Sequence, residues 1–219
     1  MADYIIFYIH GGGFISGSSA GNAKYLLQIA TELQERGLSC SVLSVEYDLS
    51  PEVQYPTALR QISAAYAYTC AKGKSVILVG DSAGAHLCLS LLKHLHTPHP
   101  KIKAIQEPTL PRLLVLVSPW VDLKNTGTSV LRNAPFDCLN KNTLNCWAAQ
   151  YLGASKQLDE YTDPLRCKSR WRDVLPQGTL MIAGEFECFV SDIVELAKNI
   201  KAVSHSPCTV IFFVPGHEI

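Results

Sequence analysis

Residues 75–87 read Ser75-Val-Ile-Leu-Val-Gly80-Asp81-Ser82-Ala83-Gly84-Ala85-His86-Leu87. An aliphatic, β-branched run leads into G-x-S-x-G and then into an apolar stretch of helical period, which is the order strand, sharp turn, helix. A serine perched on such a strained turn forces the backbone two residues away on either side into close approach. Only glycine tolerates that. The pentapeptide alone would arise by chance about 0.07 times in a chain of this length at a Gly frequency near 7%. The strand before it and the helix after it make Ser82 a candidate nucleophile.

The same alternation continues in both directions from this unit. Strands are expected near Tyr4–Ile9, Cys40–Glu46, Ser75–Val79, Leu113–Val117, Thr179–Ala183 and Thr209–Val214, all rich in Ile, Val, Leu and Phe. Such runs suit strands covered on both faces, so the class is α/β with a mostly parallel sheet. Ala23–Arg36 carries Leu26, Leu27, Ile29, Ala30 and Leu33 on a helical period and stops at Gly37, a helix-terminating glycine. Further helices are expected at Pro56–Ala71, Ser82–His96 and Asp192–Val203, with Pro56 in a first turn and Pro98 ending the third. Residues 120–176 are long, polar and irregular, with one helical patch around Leu139–Tyr151, and read as a partial cap inserted over one end of the sheet of a single domain.

The first strand runs directly into His10-Gly11-Gly12-Gly13-Phe14. Three glycines after any of seven histidines would occur by chance about 0.002 times. A bare glycine run lets successive N–H groups face one point, as an oxyanion requires. A phosphate cradle is the competing reading, and it would want a Lys at the following helix start, which Gly13-Phe14-Ile15-Ser16 lacks.

The chain has 219 residues, 47% of them hydrophobic, enough for one sizeable core. With 19 Lys+Arg against 19 Asp+Glu there is no electrostatic case for nucleic acid or an anionic membrane. The apolar stretches are far below the ~20 residues of a membrane span, and the first residues lack the pattern of a signal peptide. Eight scattered cysteines with no C-x-x-C pair read as reduced, which points to an intracellular, cytoplasmic protein.

His10–Phe14 together with Gly80–Gly84 resembles the HGGG esterases, the hormone-sensitive-lipase branch of the α/β-hydrolase superfamily. The resemblance extends to Tyr47-Asp48-Leu49-Ser50-Pro51-Glu52 with Tyr55-Pro56, where Asp48 replaces the family's usual Arg, and to Ser118-Pro119-Trp120-Val121-Asp122. It implies an α/β-hydrolase fold and a triad in the chain order Ser, acid, His. Ser82 is then the nucleophile. Glu187, in Gly184-Glu185-Phe186-Glu187-Cys188-Phe189, stands at the acid position where Asp is usual, with Asp192 and Asp122 as alternatives. His217, after Pro215-Gly216, stands at the base position, and His86, four residues beyond Ser82, is the competitor.

The resemblance further implies backbone N–H groups of Gly12, Gly13 and Ala83 as the oxyanion hole, with His10 and Gly11 shaping the supporting loop. It implies hydrolysis of a small-molecule carboxylic ester of short to medium acyl length, acetyl esters among them, without a cofactor. An amidase or formamidase, or a hydrolase-like binding protein, are the other readings. His94, His96 and His99 suggest a metal only superficially, since no matching Cys or carboxylate spacing accompanies them, and they read as a frayed helix end. Members of the family usually carry strands before the HGGG strand and a helix after the histidine. Their absence from this sequence leads to the expectation that Tyr4–Ile9 is an unpaired edge able to self-associate, and that the last strand is partly open to water.

Overall fold

The computed structural model describes residues 3–155, 158–167, 171, 173–203 and 207–213. Six strands, β1 (Tyr4–Ile9), β2 (Cys40–Val45), β3 (Ser75–Asp81), β4 (Leu113–Val117), β5 (Gly178–Gly184) and β6 (Cys208–Phe213), form one sheet in the order β2-β1-β3-β4-β5-β6. Every pairing is parallel. Parallel neighbours need crossovers, and helices α1 (Ala23–Glu35), α2 (Thr57–Cys70), α3 (Ala83–His96) and α6 (Val190–Val203) supply them. The segment between β4 and β5 adds α4 (Thr128–Arg132) and α5 (Lys141–Leu152).

The sheet is covered on both sides. Phe7, Ile9, Val76, Leu78, Leu114, Leu116, Met181 and Ala183 join one cluster with the apolar faces of α2, α3 and α6. Ile6 and Tyr8 point the other way and meet Leu26 of α1. Alternation along β1 explains the division, since successive side chains face opposite sides. The α3 helix is buried on all sides from Ala83 to Leu95, with His86, Ser90, Lys93 and His94 enclosed among its apolar residues, and runs through the protein interior. Truncating any of its fully enclosed leucines to alanine should cost ~2–5 kcal/mol.

Local signals set the element ends. After α1, Gly37 adopts φ 83°, its N–H donating to Gln34 O and that of Leu38 to Leu33 O, the paired closure that a left-handed glycine permits. Asn140 caps α5 by accepting from the N–H groups of Asn142 and Thr143. Pro56 proves to be the residue before α2 and not part of its first turn.

The expectation of an unpaired edge at Tyr4–Ile9 is wrong. β1 pairs with β2 on one side and β3 on the other along its whole length, because the crossover through α1 returns the chain to its outer side. The edges are β2 and β6. On β6, Ile211 and Phe212 are 40% and 42% exposed on opposite faces, as expected for the last strand.

Candidate active site

β3 ends at Asp81 and α3 begins at Ala83, leaving Ser82 alone at the corner with φ 51° and ψ −117°. A non-glycine residue in this region carries ~1–3 kcal/mol of strain and persists only where neighbours fix it. Here they do. The Ser82 N–H donates to Val117 O at 2.8 Å, and Ser82 O accepts from the N–H groups of His86 and Trp120 at 3.1 and 3.2 Å. A Cβ on Gly84 would lie 2.1 Å from Ile9 O, and one on Gly80 would lie 2.7 Å from the Gly84 carbonyl and from Cys88 Sγ. Both glycines of G-x-S-x-G are thus required by contact.

The glycine loop leaves β1 beside this corner, because Ile9 is paired with Gly80. Gly12, Gly13 and Phe14 take φ of 106°, 64° and 67° in succession, an unusual run that two glycines make affordable. Gly12 O accepts from Ile15 N, Ser16 N and Ser16 Oγ, closing the loop on itself. Among the described residues, the N–H groups of Gly12, Gly13 and Ala83 have no hydrogen-bond partner, the last lying at the positive N-terminal end of α3.

His10 is 2% exposed, stacks on Tyr47 at 4.2 Å, and donates from Nδ1 to Gly11 O at 2.8 Å. Tyr47 in turn donates to His10 O. Over the loop lies Trp147 of α5, whose ring a Cβ on Gly13 would strike at 2.3 Å. Gly11 is held from beneath by Asp81, whose Oδ1 accepts its N–H at 3.0 Å.

The acid candidate sits two strands away from β3, at the end of β5. Glu187 follows β5, and its Oε2 accepts from Gly184 N and Ser118 Oγ, both at 2.8 Å. Its Oε1 is buried and, among the described residues, has no partner. Burial pushes this carboxyl above the usual range, and the two donors only partly offset it. Ser118 links acid and nucleophile, since its own N–H donates to Ile182 O while its neighbour Val117 receives Ser82 N–H. Asn133 Nδ2 donates to Glu187 O at 2.9 Å and Asp137 accepts from Cys188 N at 2.6 Å, so the turn is gripped from outside as well.

Of the two alternative acids, Asp122 is otherwise engaged. Asp122 accepts from Lys124 N, Thr126 N and Oγ1, and Arg166 Nη1 at 3.0 Å. Burial raises its pKa, but the Thr126 bonds and Arg166 outweigh it, and the carboxyl titrates below its ordinary value. Asp192 is 4% exposed in α6, where burial, reinforced by Asp122 and Glu195, raises it to about 7. Its carboxylate lies against Gly127.

His217 lies outside the described residues. Phe213, the last residue of β6, pairs with Gly184 at the head of the acid turn. The competitor His86 is buried, with Nδ1 2.9 Å from Trp120 O, and its ring lies edge-on to Phe14 and Tyr151. Burial lowers its pKa to about 4, so it is a neutral core histidine at pH 7. His94 and His99 are not on a frayed end: both are buried, and each accepts a backbone N–H, from His99 and Lys101 respectively.

Ser82, the glycine loop and Glu187 all stand at the carboxyl ends of the strands, where parallel sheets place their sites. Two clefts of about 530 and 650 Å³ lie elsewhere, lined by residues including Lys74 and Arg112 in one and Arg60 and Lys103 in the other. Neither touches Ser82 or Glu187. Beside the acid turn, Phe136 and Phe186 form an exposed pair of rings 5.9 Å apart, 73% and 46% accessible. Sequence reasoning did not single out Ser118, Asp81, Asn133 or Asp137. Asp81 carried a signal as the second residue of G-x-S-x-G, whereas Asn133 and Asp137 carried none.

A family model described as the alpha/beta hydrolase fold matches residues 6–215. The chain is 34% identical over 142 residues to an esterase of Acinetobacter venetianus, covering 63% of this chain and 42% of that one. It is 26% identical over 217 residues to an acetyl esterase of Salmonella schwarzengrund, covering 93% and 61%. Among solved structures, an esterase from the bacterial hormone-sensitive lipase family superimposes with a TM-score of 0.81 at 29% identity, over 98% of this chain and 67% of that one. The chain therefore spans about two-fifths to two-thirds of the length of these relatives.

Proposed function

Since the chain belongs to the alpha/beta hydrolase fold family, we propose that it hydrolyses small carboxylic esters through an acyl-enzyme on Ser82. The observation that carries this reading is the junction of the strained Ser82 corner with N–H groups at Gly12, Gly13 and Ala83 that have no partner among the described residues. A nucleophile next to preorganised donors is what acyl transfer demands.

In this mechanism His217 takes the Ser82 Oγ proton as Oγ attacks the carbonyl carbon. The tetrahedral oxyanion is received by the three N–H groups, and His217 returns the proton to the departing alcohol. Water, deprotonated by the same base, then attacks the acyl carbon, and Ser82 regains its proton. Glu187 orients the imidazole and stabilises its cation through the buried Oε1 that lacks a partner among the described residues. The Phe213 to Gly184 pairing supports this role, because Phe213, four positions before His217 in the sequence, pairs beside the acid turn.

Residues 120–176 act as a partial lid within a single domain, a role supported by Trp147 lying over Gly13. Acetyl and other short acyl groups are favoured as substrates, in keeping with the acetyl esterase relative. The scattered cysteines, with no C-x-x-C pair, support a reducing compartment. Among the described residues no helix is long and apolar enough to cross a membrane.

The test is a p-nitrophenyl ester series from acetyl upward with the purified chain and its Ser82→Ala variant. Turnover that declines with acyl length and vanishes in the variant is expected. Equal turnover in the variant would reject the reading.

A further inference from the structure

Asp81 sits between Gly80 and the nucleophile, and its side chain turns away from the elbow toward the glycine loop. Its Oδ1 accepts from Gly11 N–H at 3.0 Å and from the Tyr8 hydroxyl, which itself accepts from Asn22 Nδ2. The approach is close enough that a Cβ on Gly11 would lie 2.3 Å from Asp81 Oδ2. The first glycine of the loop therefore exists to admit this carboxylate.

From this geometry we infer that Asp81 is a positioning residue that sets the oxyanion donors against the nucleophile. Its backbone is fixed by the ladder, paired with Val117 of β4 at the end of β3. Its side chain then ties Gly11, the residue immediately before the donors Gly12 and Gly13. Tyr8 adds a second tether from β1, and burial together with Asp81 holds its phenol well above the usual range, so it remains a donor at any working pH. One oxygen thus joins the end of β1, the glycine loop and the elbow. Loop donors have to hold their place to a fraction of an ångström before charge develops, and a glycine run has little stiffness of its own.

The inference rests on the hydrolase reading of the site, so the experiment has two independent readouts on the 219-residue chain. Asp81→Ala, Asp81→Asn and Tyr8→Phe are compared with the unaltered chain in p-nitrophenyl acetate hydrolysis. The same four proteins are compared in amide hydrogen exchange of a peptide covering residues 10–16. Asp81→Ala should lower kcat about 10- to 10³-fold, the upper part of which is the range for outright loss of one oxyanion donor, with KM within threefold. It should also speed exchange of the 10–16 peptide at least tenfold.

Asp81→Asn keeps the Oδ1 acceptor and should rescue both readouts to within threefold, a rescue that a need for negative charge at Asp81 would not allow. Tyr8→Phe should fall between. Unchanged exchange in Asp81→Ala, kcat within threefold of the unaltered chain, or an Asp81→Asn as impaired as Asp81→Ala would each overturn the inference. Absence of hydrolysis by the unaltered chain would instead count against the proposed function, and the exchange readout alone would then decide the role of Asp81.

Discussion

Ser118 Oγ donates to Glu187 Oε2 at 2.8 Å, and this bond divides the labour of the carboxylate. Oε2 is fully engaged by Ser118 and Gly184, while Oε1 stays buried and without a partner among the described residues. A buried oxygen left in that condition costs ~1–3 kcal/mol unless something donates to it. An imidazolium formed during turnover is a partner that would relieve it at the moment of greatest need.

Glu187→Gln should therefore lower kcat about 10²- to 10⁴-fold, because an amide cannot compensate the imidazolium and can impose the wrong tautomer. Ser118→Ala should cost about tenfold by loosening Oε2. Asp122→Asn and Asp192→Asn should leave kcat within about threefold. Steady-state kinetics on the four variants, with thermal melts to exclude unfolding, check this. A larger loss in Asp192→Asn than in Glu187→Gln would move the acid to α6.

The pH dependence of stability should carry the signature of Asp192. Its folded pKa, about 7, is raised above the ordinary 3.8, so the folded chain holds a proton there that the unfolded chain has released. Stability from this group is full below about pH 4 and is lost as pH rises through about 7. Asp192→Asn removes the titration and should be more stable than the unaltered chain at pH 8 by roughly 2–4 kcal/mol, with little gain at pH 4. Urea unfolding at the two pH values measures it.

The pH–rate profile should separate the two histidines. A base of ordinary character gives an acid limb in kcat/KM near pH 6–7, whereas His86 titrates at about 4. His217→Gln should reduce kcat at least about 10³-fold, and His86→Gln should act mainly on stability, since it strips a bond to Trp120 O from a buried cluster.

Gly84→Ala should be among the most damaging single-atom additions in the chain, because its Cβ would sit 2.1 Å from the Ile9 carbonyl oxygen. Backbone on both sides cannot yield without breaking the β1 to β3 pairing. A loss of ~3 kcal/mol or more, or failure to fold, is expected, whereas Gly37→Ala meets no atom and suffers only its positive φ, ~1–2 kcal/mol. Chemical denaturation of both variants decides the order.

Much of this architecture was legible because parallel strands advertise themselves as short aliphatic runs, and all six fell within two residues of their expected ends. The reading stopped β3 at Val79, since Gly80 and Asp81 are poor strand formers. Pairing with Leu116 and Val117 carries the strand through them. Strand order was not legible: nothing in Tyr4–Ile9 says whether β2 returns to its outer side, and the edge was misplaced for that reason. Glu187 could be placed from its turn, but Ser118, Asn133 and Asp137 grip that turn through contacts 51 to 69 residues distant in the chain, which no local pattern encodes.

The most direct test of the account is covalent labelling of the 219-residue chain by a fluorophosphonate, read by intact mass and by peptide mapping. One adduct per chain on the peptide containing Ser82, absent from Ser82→Ala and slowed at least tenfold in Glu187→Gln, is the predicted result. An undiminished adduct in Ser82→Ala, or no adduct in the unaltered chain between pH 6 and 9, would contradict the assignment of Ser82 as the nucleophile.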